Sequence, residues 1–183
     1  MHYHAHVIWF TGLSGAGKST LATGLQNYFI TQKIPVQVID GDILRQGICH
    51  DLGFSPSDRT ENIRRASTLA AQLSDNGYVV ISALITPTEK DRELAKSIIG
   101  AQRFHQVYLK SDITTCSARD PKGLYQKALS GEIKEFTGIS APFEEPQTSS
   151  LIIDTRNMPP EESLYQLTQY LLPIIKQPQV SFS

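Results

Sequence analysis

Residues 12 to 19, Gly-Leu-Ser-Gly-Ala-Gly-Lys-Ser, fill the pattern G-x-x-x-x-G-K-[ST], and Thr20 follows directly. This pattern constrains the fold more than any other feature of the chain, because it works only where a strand runs into a helix. Its glycines let backbone N–H groups turn inward around phosphate oxygens, and the helix beyond adds the positive end of its dipole. The flanks meet that requirement. His6 to Phe10 (HVIWF) is a short apolar run rich in β-branched and aromatic side chains, as a buried parallel strand needs. Beyond the loop, Leu21, Leu25, Tyr28 and Phe29 fall on one stripe of a helix reaching about Gln32. A nucleotide site follows, in which Gly12, Leu13, Ser14, Gly15, Ala16, Gly17, Lys18, Ser19 and Thr20 surround the phosphates. Lys18 bridges the β- and γ-phosphates and Ser19 ligates Mg²⁺.

The rest of the chain repeats the same alternation. Strands are expected at residues 35–40 (PVQVID), 78–85 (YVVISALI), 104–109 (FHQVYL) and 150–155 (SLIIDT), with a helix from Arg59 to about Asn76. Met158 to Lys176 gives a closing amphipathic helix with proline near its start. Strands alternating with helices predict an α/β fold, a P-loop NTPase-type doubly wound parallel β-sheet with flanking helices, whose ligands sit beyond the carboxyl ends of the strands. Residues 120–146 carry charge, glycine and proline but no strand signal, so they are expected to form a lid over that edge. The tail 177–183 is read as frayed. With 183 residues, 40% of them hydrophobic, the chain suits a single kinase domain over 1–183 burying roughly 70% of its unfolded surface.

A net charge of -1 gives no field of one sign, which argues against nucleic acid and against a membrane surface as partners. No apolar run reaches the roughly 18 residues a spanning helix needs, and no secretion signal is read, so a cytoplasmic location is expected. Cys49 and Cys116 lack paired metal-ligand spacing and read as free thiols. His2, His4 and His6 alternate like one strand face, but without a carboxylate or cysteine partner they read as an exposed leading strand or a mobile terminus.

A phosphate-binding loop does not name a reaction. A GTPase would want N-K-x-D and a D-x-x-G after the third strand; neither is present, and the third strand ends in SALITP with no acid to hold metal. The acids lie instead at the second strand's end. Asp40 and Asp42 flank Gly41, so that Asp40 could order Mg²⁺ through water while Asp42 takes a proton from an attacking hydroxyl. Arg45 follows, and residues 51–65 (DLGFSPSDRTENIRR) add Phe54, Arg59, Asn62, Arg64 and Arg65. Arg59 and Asn62 share a helix face that Ser57 or Asp58 could cap. Phe54, in a loop between glycine and serine, suits stacking on a ring, and bidentate arginines suit phosphate or sulfate oxygens. Arg64 and Arg65 could equally pair with Glu61 on a solvated face.

GLSGAGKST, DGDILR, DLGFSPSDRTENIRR, RDPKGLYQKA and GEIKEFTGISAPFEEP, in this order and spacing, resemble the adenylyl-sulfate kinase (APS kinase) family over about Val7 to Asp154. The resemblance implies transfer of the γ-phosphate of MgATP to the 3′-hydroxyl of adenosine 5′-phosphosulfate. It places acceptor contacts on Asp42, Arg45, Phe54, Arg59, Asn62, Ile85 and Thr86, and in the lid on Lys122 and Phe136, the second aromatic of a sandwich around the acceptor adenine. Arg119 and Asp120 look like the lid hinge beside the ATP adenine. It also implies a homodimer, and an acceptor supplied by a separate ATP sulfurylase. Members commonly carry SAFISP followed by an aromatic and an arginine, where this chain has SALITPTEKDR. Thr86 replaces a serine often described as a phosphoserine, and is assigned here to acceptor binding. Glu89 falls at the arginine and would remove a positive charge near the site. Two other readings remain open at this stage. One is a small-molecule or nucleoside kinase with a different acceptor; the other is a regulatory module that binds both nucleotides and transfers nothing.

Overall fold

The computed structural model of the protein describes residues 3–176, so His2 and the tail 177–183 lie outside the described residues. The element order is β1 (Val7–Thr11), α1 (Lys18–Thr31), β2 (Val36–Asp40), α2 (Gly41–Gln46), α3 (Pro56–Asp75), β3 (Val79–Ala83), α4 (Glu89–Ile99), β4 (Phe104–Lys110), α5 (Ile113–Arg119), α6 (Leu124–Leu129), β5 (Leu151–Asp154) and α7 (Pro160–Ile175). All five expected strands form one sheet of order β2-β3-β1-β4-β5, every neighbouring pair parallel. The apolar strand that feeds the glycine loop is therefore the central one.

Alternation along β1 sets the layers, because successive side chains of a strand point to opposite faces. Ile8 and Phe10 pack with Leu21, Leu25 and Phe29 of α1 and Leu167 and Leu171 of α7. Val7 and Trp9 pack instead with Ile63, Ala66 and Ala70 of α3 and Ala95 and Ile99 of α4. Each fully buried aliphatic or phenylalanine side chain contributes about 1.5–3 kcal/mol relative to an exposed one, so this two-sided core holds the loop's strand rigidly. From β1 the chain crosses outward to β2, returns through β3 beside β1, then continues on β1's other side with β4 and β5. That reversal opens a crevice at the carboxyl ends of the strands.

Several local features differ from the sequence expectations. The third strand ends at Ala83 rather than Ile85, because the chain leaves the ladder toward Thr86, which has φ +45°. The helix expected from Arg59 begins at Pro56, and its cap is Ser55, not Ser57 or Asp58: the Ser55 hydroxyl accepts from the Asp58 N–H at 3.2 Å. Proline at the first helical position needs no hydrogen bond there. The Asp-Gly-Asp stretch starts α2, capped by the Asp40 carboxylate, which accepts from the Asp42 N–H at 2.9 Å. His4 and His6 are half-buried and precede β1, so they do not form an exposed strand face. His6 Nδ1 lies 3.0 Å from His105 Nε2, and His105 Nδ1 lies 3.1 Å from the Tyr170 hydroxyl. Burial first, then His105, pulls His6 down to a pKa of about 4. Among the described residues no cluster of three potential metal ligands occurs, and no helix is long and apolar enough to cross a membrane.

Candidate active site

A cleft of roughly 620 Å³ opens at the carboxyl ends of β1, β2 and β3, under residues of the 120–146 segment. The glycine loop forms its floor. Gly17 caps α1 with φ +101°, a left-handed conformation that lets the loop enter the helix with its N–H groups directed outward. Gly12 meets a harder limit: a Cβ there would lie 2.7 Å from the Leu109 carbonyl oxygen of the neighbouring strand. Leu13 and Ala16 turn their side chains into the core, so within the loop it is backbone that meets a ligand at these positions.

Lys18 is buried, and its ammonium donates to the carbonyls of Gly12 at 2.9 Å and Leu13 at 2.6 Å. Burial, partly offset by Cys116, Asp40 and Asp42, pulls its pKa down to about 8. The Ser19 hydroxyl donates to the Asp40 carboxylate at 2.9 Å, which places the hydroxyl and carboxylate suited to a magnesium site side by side. Arg119 reaches back from the end of α5 to donate to the carbonyls of Thr155 and Arg156. At that end the cleft is also lined by Thr155, Met158, Pro160 and Ser163, which sequence reasoning missed. Their only sequence signal is position, just past the end of the last strand.

The opposite half brings together all the acceptor residues expected from sequence: Asp42, Arg45, Phe54, Arg59, Asn62, Ile85, Thr86, Lys122 and Phe136 line the one cleft. Phe54 is 56% exposed, with the Arg45 guanidinium 4.2 Å above its ring. The Arg59 guanidinium also lies over this ring, at 5.9 Å, so two cations border an exposed aromatic suited to stacking. Asn62 is 6% exposed, and its side-chain oxygen is buried without a hydrogen-bond partner. A buried acceptor left unpaired is costly unless a ligand completes it. Phe136 belongs both to the core, edge-to-face on Tyr125 at 5.0 Å, and to the wall of the cleft.

Two ties cross the cleft. Lys122 donates to the Asp42 carboxylate, a hydrogen bond that raises the lysine's pKa. Arg59 donates to the Glu135 carbonyl and, at 2.8 Å, to the Thr137 hydroxyl, while its Nε binds the Phe54 carbonyl. Arg64 and Arg65 take no part. They pair with Glu61, and Arg65 also with Asp51. Glu89 also stays out of the cleft lining and turns to Arg92, at 2.7 Å. Cys49 and Cys116 are free and fully buried; Cys49 packs in the core between α2, α3 and the sheet, away from the cleft lining.

Comparison with known proteins finds three kinds of relative. Residues 4–154 match the family model described as adenylylsulphate kinase. The chain is 47% identical over 169 residues to an adenylyl-sulfate kinase of Bacillus licheniformis, covering 92% of this chain and 86% of that one. It is 46% identical to one from Shewanella amazonensis, over 91% and 84% of the two chains. Among solved structures, a Mycobacterium tuberculosis APS kinase in complex with AMPPNP and APS superposes with a TM-score of 0.88 at 38% identity. That match covers 92% of this chain and 98% of the other.

Proposed function

The chain belongs to the adenylylsulphate kinase family, a family of phosphotransferases acting on a hydroxyl group, and from that premise we propose how this cleft carries the reaction. The γ-phosphoryl group of MgATP passes to the 3′-hydroxyl of adenosine 5′-phosphosulfate, giving ADP and 3′-phosphoadenosine 5′-phosphosulfate. The observation that carries the reading is the convergence of the glycine loop and the nine acceptor residues on a single cleft.

The loop N–H groups and Lys18 hold the donor's phosphates. Lys18 exchanges the Gly12 and Leu13 carbonyls for β,γ-oxygens, and Arg119 lies against the donor's base end. Mg²⁺ fits the Ser19 hydroxyl, with Asp40 acting through water. When bound it neutralises charge that builds on the β,γ-oxygens during transfer. On the other side, Phe54 and Phe136 enclose the acceptor adenine, Asn62 completes its buried oxygen on the ligand, and Arg45 and Arg59 hold the phosphosulfate. Ile85 and Thr86 form the wall behind it. The attacking hydroxyl enters between Asp42 and Lys122, so Asp42 receives its proton as the O–P bond forms and Lys122 is freed to face the anionic ligands. Positioning and charge stabilisation do most of the work, with residues 120–146 acting as a lid on the single domain. A homodimer and a separate ATP sulfurylase as supplier of the acceptor complete the proposal, resting on the family resemblance.

The test is ADP release from MgATP with adenosine 5′-phosphosulfate at low micromolar concentration, set against AMP, adenosine, shikimate and gluconate. Turnover is expected with the phosphosulfate alone. Asp42→Asn is expected to lower it by roughly 10²–10⁴ while MgATP still binds. Comparable rates with another hydroxyl compound, or saturable binding without ADP, would refute the assignment.

A further inference from the structure

Thr86 is a β-branched residue in the left-handed region, at φ +45°, and only 1% exposed. For such a side chain that conformation is strained, and it persists only where the surroundings over-determine it. The surroundings here do so from three directions. From β1, the indole N–H of Trp9 donates to the Thr86 hydroxyl at 2.9 Å, and the Thr11 hydroxyl donates to the carbonyls of Ile85 at 2.7 Å and Thr86 at 3.2 Å. From the glycine loop, the Gly12 N–H donates to the Ile85 carbonyl at 3.3 Å. From α4, Arg92 Nη1 donates to the Thr86 carbonyl at 3.0 Å.

Arg92 is the unusual member. Its side chain is 0% exposed, yet it is charged and nothing in the reaction scheme uses it. Its Nε and Nη2 both bind the Glu89 carboxylate, at 3.0 and 2.7 Å, leaving Nη1 directed at the turn. Burying a guanidinium is costly unless it is paired and hydrogen-bonded, and both conditions are met here by one carboxylate and one strained carbonyl. The same stretch also anchors the far end of the lid: the Glu89 N–H donates to Glu144 at 2.7 Å, and the Glu144 N–H to the Pro87 carbonyl at 2.8 Å.

The geometry points to Arg92 as a positioning residue for the acceptor: buried behind the wall of the cleft, it holds the Thr86 carbonyl and so fixes the left-handed turn whose Ile85 and Thr86 line the acceptor side. The inference rests on the acceptor reading of the cleft given above. Arg92 touches neither substrate, so its loss should act on acceptor binding and leave the donor site alone.

Steady-state kinetics with MgATP and adenosine 5′-phosphosulfate separate the two. Arg92→Met is expected to raise the acceptor KM about tenfold or more, the loss that follows from a charge-assisted hydrogen bond, with the MgATP KM within about twofold of wild type. Arg92→Lys keeps the charge but cannot serve Glu89 and Thr86 together, so it should give an intermediate acceptor KM even if the methionine variant folds poorly. In a Thr86→Gly background, where φ +45° is no longer strained, Arg92→Lys should raise the acceptor KM less than in wild type. Equal effects on both KM values, or a lowered melting temperature with the acceptor KM unchanged in the lysine variant, would overturn the role of Arg92. Wild-type protein that releases no ADP with this acceptor would sink the acceptor reading itself, and the inference with it.

Discussion

Lys18 makes the donor site sensitive to proton concentration in a way that can be worked out beforehand. In the ligand-free protein its ammonium is buried against two backbone carbonyls, and burial holds its pKa near 8 instead of the ordinary 10.5. Phosphate oxygens would replace those carbonyls with full negative charge and push the pKa back up, so binding above pH 8 must draw a proton from solution. With free and bound values on either side of the working pH, uptake on binding MgATP should be ~0.1 proton at pH 7, ~0.5 at pH 8 and ~0.9 at pH 9. Affinity should fall about tenfold between pH 7 and pH 9 for the same reason. Calorimetry in buffers of different ionisation enthalpy reads the uptake directly. Lys18→Arg, which stays charged throughout, should abolish it. The sign carries over to stability without ligand: a lysine whose folded pKa is lowered penalises the fold while it is charged, by about 3 kcal/mol for this shift. That penalty disappears as pH rises from about 8 toward 10.5, and Lys18→Met should therefore stabilise the empty protein most below pH 8. Uptake that stays flat from pH 7 to pH 9, or that persists in Lys18→Arg, refutes the reasoning.

Ser55→Ala removes the cap of α3 and should lower unfolding stability by about 1 kcal/mol in urea titrations. Because Arg59 and Asn62 sit on the first turns of that helix, the acceptor KM should rise as well. Gly12→Ala places a methyl group 2.7 Å from the Leu109 carbonyl oxygen, so chemical denaturation should show a loss of roughly 1–3 kcal/mol and nucleotide titration should show little binding. His6 has its folded pKa lowered from 6.5 to about 4, so its contribution is intact above pH 6.5 and is lost as pH falls through that window toward 4. Melting temperatures of His6→Gln should consequently decline less steeply than wild type across the same range.

The sheet and the donor loop were legible because each depends on a local pattern: a short apolar run, glycines at fixed spacing, a helical stripe. Most of what the sequence did not show depends on contacts distant in the chain. The exception is local: Ser55 outcompetes Ser57 and Asp58 as the cap because Pro56 can occupy the first helical position but cannot extend the helix backward. The pairing of His105 with His6 on one side and Tyr170 on the other joins residues 99 and 65 positions apart. The turn at Thr86 ends the third strand early because Thr11, Gly12 and Arg92 all bond its carbonyls, and no spacing within SALITP announces that. Arg64 and Arg65 look like Arg59 in sequence; only their partners, Glu61 and Asp51, separate a solvated face from a site.

The same distinction bears on the proposed lid, which would have to close over a charged cleft. Lys122 to Asp42 and Arg59 to Glu135 and Thr137 tie residues of the 120–146 segment to α2 and α3. Lys122, Asp42 and Arg59 also have places in the proposed complex. In that proposal opening would trade these partners for water, and ligand binding would trade them for phosphate, sulfate or a hydroxyl, so each charge keeps a partner throughout. An exposed ion pair such as Lys122 with Asp42 is worth little on its own, which is the property an exchangeable tie needs. Asn62 does the opposite work. Its buried oxygen makes no hydrogen bond within the protein, so in the proposed complex a ligand donor there would weight the balance toward the occupied cleft. Replacing Asn62 with leucine should therefore leave the empty protein as stable or more so, and cost acceptor affinity by about tenfold. Equal loss of stability and affinity would mean the oxygen is already satisfied in the empty protein, and the balance described here would not exist.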